Sequence, residues 1–385
     1  MQNNSLFSKE ELARYNRHII IPEFGLTAQN KLKESSVLVV GAGGLGSPLL
    51  LYLAAAGIGH IGIVDCDIVE DSNLQRQVLF GVHEIGLSKT KSAKQRLQSL
   101  NPYIKITEFN VQFTAQNAME IAKDFDVVAD GTDNFPTRYL VNDTCVFLDK
   151  PNVYASIYQF EGNVSVFNYV DKEGNRGPNY RDLFPVPPLA ETVANCSEAG
   201  VLGVLPGIIG SMQALEVIKV ITGVGETLTG KFYTFDALTF ESRTFNVKRD
   251  PANPVNGDQP TIHRLVDYEQ FCGSRAIKGV LKNVSATELY EWQLQKKDLQ
   301  IIDVREAYEY EIVNINSTLI PLSILTENLN QIDQTKKVIV MCKSGVRSAK
   351  AIAVLEDKYG YKNLYNLEGG IINYINELQL DLPVY

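Results

Sequence analysis

Short runs of β-branched residues alternate with amphipathic stretches through the first half of the chain. The runs have the length and composition of strands and lie at 37–40, 61–64, 104–109 and 126–129. Stretches with helical periodicity follow the first run as far as about residue 56 and recur at 88–100, 117–123 and 136–148. Since strands that alternate with helices form βαβ units, the pattern predicts an α/β domain with a mainly parallel sheet.

A second alternating unit begins near residue 284. Its helical patterns and apolar runs lie at 285–292, 299–306, 336–347 and 348–359. The segment 248–259 is dense in Pro, Asn, Asp and Gly and has no periodicity, which is typical of a boundary. The chain is therefore predicted to contain a first domain at 1–250, a linker at 251–283 and a small α/β domain at 284–385.

Composition restricts the class of protein. The 385 residues are 45% hydrophobic and 21% charged, which is ordinary for a globular chain and excludes wholesale disorder. A net charge of -9 argues against nucleic acid or an anionic membrane as the main partner. Five cysteines do not form a disulfide framework, the N-terminus lacks a signal pattern, and the apolar stretch 201–212 is too short to span a bilayer. These features predict a cytoplasmic protein.

The glycine-rich segment Gly41-Ala-Gly-Gly-Leu-Gly46 follows the first predicted strand and opens a helix. Such a turn directs backbone N–H groups and a helix N-terminus at an anion, and a dinucleotide is its usual ligand. Here Gly44 gives the spacing G-x-G-G-x-G, which lets a ligand approach the backbone more closely. Asp65, at the end of the next strand, can hold ribose hydroxyls in either a mononucleotide or a dinucleotide.

Charged residues downstream favour a triphosphate over a dinucleotide. Arg76 and Lys89 follow the second strand, and Asp133 comes directly after the fourth. A dehydrogenase does not need these three together beside its cofactor. A triphosphate does, because Arg and Lys neutralise phosphate oxygens and Asp holds the bridging Mg²⁺.

Residues 11–248 resemble the adenylation domain of the ubiquitin-activating superfamily, most closely the bacterial sulfur-carrier adenylyltransferases of the molybdopterin and thiamine pathways. The resemblance is carried by Arg14-Tyr-Asn-Arg17, GAGGLG, Asp65-x-Asp67, SNLQRQ, Gly86-Leu-Ser-Lys89 and Thr132-Asp-Asn134. It implies a Rossmann-like fold that binds ATP and Mg²⁺ through Gly44, Asp65, Ser72, Asn73, Arg76, Lys89, Asp133 and Asn134, with Asp133 holding the metal. It also implies a homodimer in which Arg17 reaches the nucleotide of the neighbouring subunit. The implied substrate is a small ubiquitin-like sulfur carrier ending in Gly-Gly, whose terminal carboxylate is adenylated.

Two cysteines have contexts that favour chemistry. Cys196 lies in a polar stretch, so an accessible thiol is expected, and the family resemblance implies a catalytic role that varies among members. Cys342 ends an apolar strand and begins a loop that opens a helix, where successive N–H groups favour a thiolate. This loop, Cys342-Lys343-Ser344-Gly345-Val346-Arg347, resembles that of rhodanese sulfurtransferases, with Cys342 as persulfide carrier. A protein phosphatase is the alternative, but its cysteine and arginine are separated by five residues, and here four intervene.

A structural zinc is expected in many relatives at two C-x-x-C pairs, but the matching positions here hold other residues. They read Asn179, Asp182, Asn253 and Asn256. Zinc in a tetrahedral site favours Cys and His, so the sequence predicts no zinc, and packing and hydrogen bonds must hold this region.

These features predict an enzyme that adenylates a sulfur carrier and passes sulfur from Cys342 to the activated carboxylate, giving a thiocarboxylate. The sulfur donor is expected to be thiosulfate or a cysteine desulfurase. Two alternatives remain at this point: an NAD-dependent oxidoreductase with a redox domain, and a carrier-binding scaffold without turnover. The sequence does not distinguish molybdopterin, thiamine, cysteine or another pathway.

Overall fold

The computed structural model describes residues 6–187, 200–272 and 281–385 and divides the chain into two compact units, Met1–Ser274 and Arg275–Tyr385. The first unit therefore extends into the predicted linker. A short helix, Tyr268–Phe271, explains this extension, because the hydroxyl of Tyr268 donates to Asp143 Oδ2 of an earlier helix at 2.7 Å. Asp143 is fully buried, so this hydrogen bond holds the later segment on the body of the first unit.

Helices and strands alternate through the first unit. Its helices are α1 Lys9–Ile19, α2 Gly25–Glu34, α3 Gly46–Ala56, α4 Lys89–Leu100, α5 Ala118–Ala122, α6 Phe135–Phe147, α7 Tyr180–Leu183, α8 Leu205–Thr222 and α9 Tyr268–Phe271. Its strands are β1 Ser36–Val40, β2 His60–Val64, β3 Lys105–Phe109, β4 Val127–Asp130, β5 Asn152–Tyr158, β6 Glu161–Phe167, β7 Lys231–Asp236 and β8 Glu241–Asn246. The strand and helix predictions for 37–148 are confirmed to within a residue or two at each end.

The strands form one sheet in the order β3-β2-β1-β4-β5-β6-β7-β8. The pairs from β3 to β5 are parallel, and those from β5 to β8 are antiparallel. Strand β1 is buried on both faces, because Val37 and Val39 join one core cluster and Leu38 and Val40 join another. Burial on both faces explains why this strand reads as an unbroken apolar run. The predicted α/β class with a mainly parallel sheet is confirmed.

Helix α8 is longer than the apolar stretch noted in the sequence. In the described part of the chain it is the one helix long and apolar enough to cross a membrane. It packs against α3, β5 and β6, and Leu205, Ile209 and Val217 are fully buried. These contacts are those of a core helix.

The second unit is a smaller α/β fold with a parallel sheet in the order β11-β10-β12-β13-β9. Its strands are β9 Asn283–Val284, β10 Leu299–Asp303, β11 Thr318–Leu319, β12 Lys337–Met341 and β13 Leu364–Leu367. Its helices are α10 Ala286–Leu294, α11 Ala307–Ile312, α12 Val346–Tyr359 and α13 Gly370–Glu377. Alternate residues of β12 again enter two core clusters, so the loop after this strand starts from a rigid, doubly covered element.

Candidate active sites

The glycine loop brings the N-terminus of α3 against the end of β1. Gly41 has a φ of +92°, a conformation that favours glycine, and its N–H donates to Val64 O at 2.8 Å. A Cβ on Gly46 would lie 2.0 Å from Gly41 O, so no side chain fits there. The two glycines therefore allow the backbone at the start of α3 to approach the end of β1 closely. The first turn of α3 then faces the region past the carboxyl end of β1.

A cleft of about 450 Å³ opens at the carboxyl ends of β1, β2 and β4. Strand order reverses between β1 and β4, which is where open α/β sheets bind ligands. The cleft brings together most of the residues predicted to bind the nucleotide: Gly44, Asp65, Asn73, Arg76, Lys89, Asp133 and Asn134. Ser72 does not line it, but its carbonyl accepts a hydrogen bond from Arg76 Nη1 at 3.0 Å. Arg17 is exposed on α1 and does not line this cleft.

The carboxylate of Asp65 ties the glycine loop to the end of β2. Its Oδ2 accepts from the N–H of Ala42 and its Oδ1 from the N–H of Asp67, both at 2.8 Å. Burial raises the pKa of Asp65, although these two hydrogen bonds oppose the rise. Asp65 therefore shapes the cleft as well as lining it.

Lys89 is the first residue of α4, and its side chain is almost entirely buried. Its Nζ donates to Asp67 Oδ2 at 2.9 Å, and the Asp67 side chain is largely exposed in the cleft. Sequence reasoning gave Asp67 no role. The ion pair holds a buried ammonium at the edge of the cleft, where it can meet a phosphate.

The end of β4 presents Asp133 to the cleft through a buried turn. Asp130 is fully buried, and its Oδ1 accepts from the N–H and hydroxyl of Thr132 at 3.0 and 2.6 Å. Burial raises the pKa of Asp130. Asp133, by contrast, is exposed. Asn134 also caps α6, because its Oδ1 accepts from the N–H of Thr137 at 3.0 Å.

Gln213 of α8 is a supporting residue that the sequence did not indicate. It is fully buried, and its Nε2 donates to Asp130 O at 2.8 Å and to Val153 O at 2.9 Å. These bonds connect α8 to the carboxyl end of β4 and to the start of β5. A glutamine within an apolar helix was the available signal, but its partners lie far away in sequence.

Cys196, the predicted accessible thiol of the first unit, lies outside the described residues.

In the second unit, the loop after β12 wraps around the sulfur of Cys342. The residue is fully buried, and its Sγ accepts from the N–H of Gly345 at 3.1 Å. Ser348 Oγ lies 3.4 Å from the same sulfur and donates to Asn366 Oδ1 at 2.7 Å. Gly345 has a φ of +88° and is the N-cap of α12. An N–H group and the N-terminus of a helix therefore face the sulfur.

A glycine pair at the start of α13 packs on the back of this loop. Gly369 and Gly370 both have positive φ, and a Cβ on Gly370 would lie 2.4 Å from Lys343 O and 2.5 Å from Cys342 O. The N–H of Ile371 donates to Cys342 O at 2.9 Å. The tight fit holds the backbone that carries Cys342.

Arg347, the last residue of the rhodanese-like loop, is paired with an acid. Its Nη1 and Nη2 donate to the two carboxylate oxygens of Glu309 at 2.6 and 2.7 Å. Burial alone would raise the pKa of Glu309, but the hydrogen bonds from Arg347 hold it below its ordinary value. Of the other loop residues, Ser344 and Val346 are exposed and Lys343 is half-buried.

The four positions predicted to lack zinc ligands form a hydrogen-bonded cluster that joins α7 to 253–256. Asn179 Nδ2 donates to Asn256 Oδ1 at 2.8 Å, and Asn253 Nδ2 donates to Asp182 Oδ1 at 2.7 Å. Asp182 Oδ2 accepts from the N–H of Asn179 at 2.6 Å. These side chains do not fit a zinc ion, because neither sulfur nor imidazole is present and the amides already satisfy one another.

We expect elemental analysis of the purified protein to find no stoichiometric zinc, because these four side chains offer zinc neither sulfur nor imidazole. Prolonged chelation should leave the melting temperature unchanged for the same reason. A zinc-bearing relative analysed in parallel provides the control. One zinc per chain that survives chelation would contradict this interpretation of the four residues.

Comparisons with known proteins match both units. Residues 15–255 match the ThiF family and residues 285–377 the rhodanese-like domain. The chain is 45% identical to a probable adenylyltransferase/sulfurtransferase MoeZ of Mycobacterium tuberculosis, over 99% of this chain and 97% of that protein. It is 40% identical to the adenylyltransferase and sulfurtransferase MOCS3 of Drosophila grimshawi, over 100% and 88%.

Two further matches cover part of the chain. A sulfur carrier protein adenylyltransferase of Thermus thermophilus is 51% identical, over 70% of this chain and 99% of that protein. Among solved structures, Escherichia coli MccB matches with a TM-score of 0.58 at 23% identity, over 68% of this chain and 77% of that one. At that identity the match supports the fold alone.

Proposed function

Since the chain belongs to the ThiF family and carries a rhodanese-like domain, we propose that it converts the C-terminal carboxylate of a ubiquitin-like sulfur carrier into a thiocarboxylate. The protein is an adenylyltransferase and a sulfurtransferase. The observation that carries the proposal is that one chain holds both a cleft lined by glycines, Arg76 and Lys89, which suits phosphates, and a loop that surrounds the thiol of Cys342.

Adenylation uses the cleft. A carboxylate oxygen of the carrier's last glycine attacks the α-phosphorus of ATP, and the bond to pyrophosphate breaks as the new phosphorus–oxygen bond forms. Lys89 and Arg76 are suited to neutralise the phosphate oxygens, and the glycine loop offers backbone N–H groups. Positioning and charge neutralisation can supply most of this catalysis, so no general base is required.

Asp133 is the residue suited to hold Mg²⁺. It is an exposed carboxylate that lines the cleft, whereas Asp130 beside it is buried and bonded to Thr132. The described residues contain no group of three or more His, Cys, Asp or Glu side chains placed to hold a metal. This fits Mg²⁺, which is usually bound through one or two carboxylates together with phosphates and water. When bound, the ion neutralises charge on the phosphates.

Sulfur transfer uses Cys342. Its thiolate attacks the outer sulfur of thiosulfate, a sulfur–sulfur bond forms, and sulfite leaves; a desulfurase persulfide is the alternative donor. The terminal sulfur of the new persulfide then attacks the carbonyl carbon of the acyl-adenylate, and AMP leaves. A thiol breaks the remaining sulfur–sulfur bond by forming a disulfide with Cys342, which releases the carrier thiocarboxylate. Covalent attachment of the two units raises the effective concentration of the persulfide near the adenylate.

Cys196 is the candidate for the thiol that breaks this bond. We expect Cys196→Ser to slow thiocarboxylate formation while ATP–pyrophosphate exchange and persulfide formation continue, because each half-reaction has its own residues. The comparison is made at low concentrations of added thiol, which would otherwise replace the side chain. An undiminished rate under those conditions would show that Cys196 is not an obligatory relay.

Three further features belong to the proposal. Arg17 is exposed on α1 and does not line its own cleft, which is compatible with reaching the nucleotide of a partner subunit in a homodimer. The described cysteines form no disulfide, which suits a reducing cytoplasm. The hydrogen-bonded asparagine cluster supports a first unit that needs no zinc.

The test is pyrophosphate release in the presence of ATP, Mg²⁺ and purified carriers that end in Gly-Gly. Release should require the carrier and should be lost with the same carrier shortened by its last glycine. Release without any carrier, or none with any candidate carrier, would contradict the adenylation step. Nicotinamide binding in a difference spectrum would instead favour an oxidoreductase, and carrier binding without turnover would favour a scaffold.

A further inference from the structure

Tyr385 contacts the Cys342 loop, although it is far from it in sequence. Its ring lies under the ammonium of Lys343, with Nζ 4.7 Å from the ring centroid. Its hydroxyl donates to Glu309 Oε1 at 3.1 Å, and Glu309 is the carboxylate that binds Arg347. Tyr385 therefore contacts Lys343 directly, and it contacts Glu309, the residue that binds Arg347.

The hydroxyl of Tyr385 is held by a rigid neighbour. Arg305 Nη1 donates to it at 2.6 Å, and Arg305 is fully buried and paired with the equally buried Asp303. Burial raises the pKa of Tyr385 to about 12. The hydroxyl thus keeps its proton at neutral pH, and it can accept from Arg305 and donate to Glu309 together.

On these contacts, and resting on the sulfur transfer proposed above, we propose that Tyr385 is a positioning residue of the Cys342 site. Its hydroxyl fixes the Glu309–Arg347 pair and its ring supports Lys343, so that the positive charge of the loop is held in place for an anionic sulfur donor. The hydroxyl bonds Arg305 and Glu309, and the ring meets Lys343. The effect is on donor affinity and on loop geometry, through the two cations.

The test compares the loss of the Tyr385 hydroxyl alone with the loss of both hydroxyl and ring. Sulfur transfer is measured in the full-length protein, with thiosulfate as donor and cyanide as acceptor. Tyr385→Phe keeps the ring and should lower kcat/KM about threefold to tenfold, as expected for the loss of one typical hydrogen bond. Tyr385→Leu also removes the face under Lys343 and should raise the KM for thiosulfate a further two- to fivefold or so, the typical value of a cation–π contact. This rise should diminish at high ionic strength.

Tyr374→Phe is the matched control. Tyr374 belongs to the same core cluster, burial likewise raises its pKa to about 12, and its hydroxyl donates to Gln293 Oε1 at 2.6 Å, away from the loop. It should leave KM and kcat unchanged even if its melting temperature falls as much as that of Tyr385→Phe. If both phenylalanine variants lose stability and keep wild-type KM and kcat, Tyr385 is merely structural and the inference is wrong.

Carrier adenylation is measured on the same preparations. If the wild-type protein transfers sulfur and the Tyr385 variants have the same KM and kcat as the wild type, this inference is wrong and the proposed function is unaffected. A wild-type protein that transfers no sulfur from thiosulfate or a persulfide donor overturns both.

Discussion

Replacing Cys342 with serine should abolish sulfur transfer from thiosulfate while carrier adenylation continues. Serine fits the same loop and can accept the hydrogen bond that Gly345 now donates to the sulfur. It cannot form a persulfide, however, and its hydroxyl is a weak nucleophile at neutral pH. Loss of such a nucleophile lowers the rate by a factor on the order of 10³ or more. The adenylation motifs all belong to the other unit, so carrier-dependent ATP–pyrophosphate exchange should be retained.

Cys66→Ser is the control for this experiment. Cys66 lines the cleft of the first unit and is exposed as a residue. Partial burial of its thiol and the negative charges of Asp67 and Asp65 raise its pKa. No loop of N–H groups activates it, so sulfur transfer should not depend on it. If Cys342→Ser transferred sulfur normally, or if Cys66→Ser lost the activity instead, the role given to the Cys342 loop would be wrong.

Asp133→Ala should abolish carrier-dependent ATP–pyrophosphate exchange. The change removes an exposed carboxylate of the cleft, the side chain suited to the metal, so the phosphates lose the charge neutralisation that the metal supplies. Losing one such electrostatic contact in a site of this kind lowers the rate on the order of 10²–10³-fold. Sulfur transfer from thiosulfate to cyanide should be unaffected, since Cys342 needs no nucleotide for it.

Asp124→Ala supplies the matched comparison, because Asp124 is an exposed aspartate just before the same strand, at its opposite end. It should exchange like the wild type. Full exchange by Asp133→Ala at limiting Mg²⁺ would contradict the assignment of Asp133 as the metal ligand.

Local sequence patterns were sufficient for much of the fold. Each strand and helix expected between 37 and 148 is present, because alternation and glycine punctuation are local signals. The antiparallel part, β5 to β8, was not predicted. Strand β8 is exposed at every position, so its sequence shows no alternation of apolar and polar residues that would predict a strand. The strand forms because it pairs with β7.

The sequence likewise indicated some features of the two sites and not others. The sequence indicated Gly44, Asp65, Lys89 and Asp133 as neighbours, and they line one cleft because carboxyl ends of parallel strands meet at one sheet edge. It did not indicate that Glu309 binds Arg347, or that Tyr385 reaches the Cys342 loop. Those contacts join residues far apart in the chain, and no local signal fixes them.

We expect this one chain to turn a carrier carboxylate into a thiocarboxylate. The direct measurement is the intact mass of a carrier ending in Gly-Gly after incubation with the protein, ATP, Mg²⁺, thiosulfate and a thiol. We predict a mass gain equal to replacing one oxygen by sulfur, dependent on both ATP and thiosulfate, and lost in Cys342→Ser and in Asp133→Ala. A carrier whose mass stays unchanged while AMP and pyrophosphate accumulate would contradict the proposed sulfur transfer to the activated carboxylate.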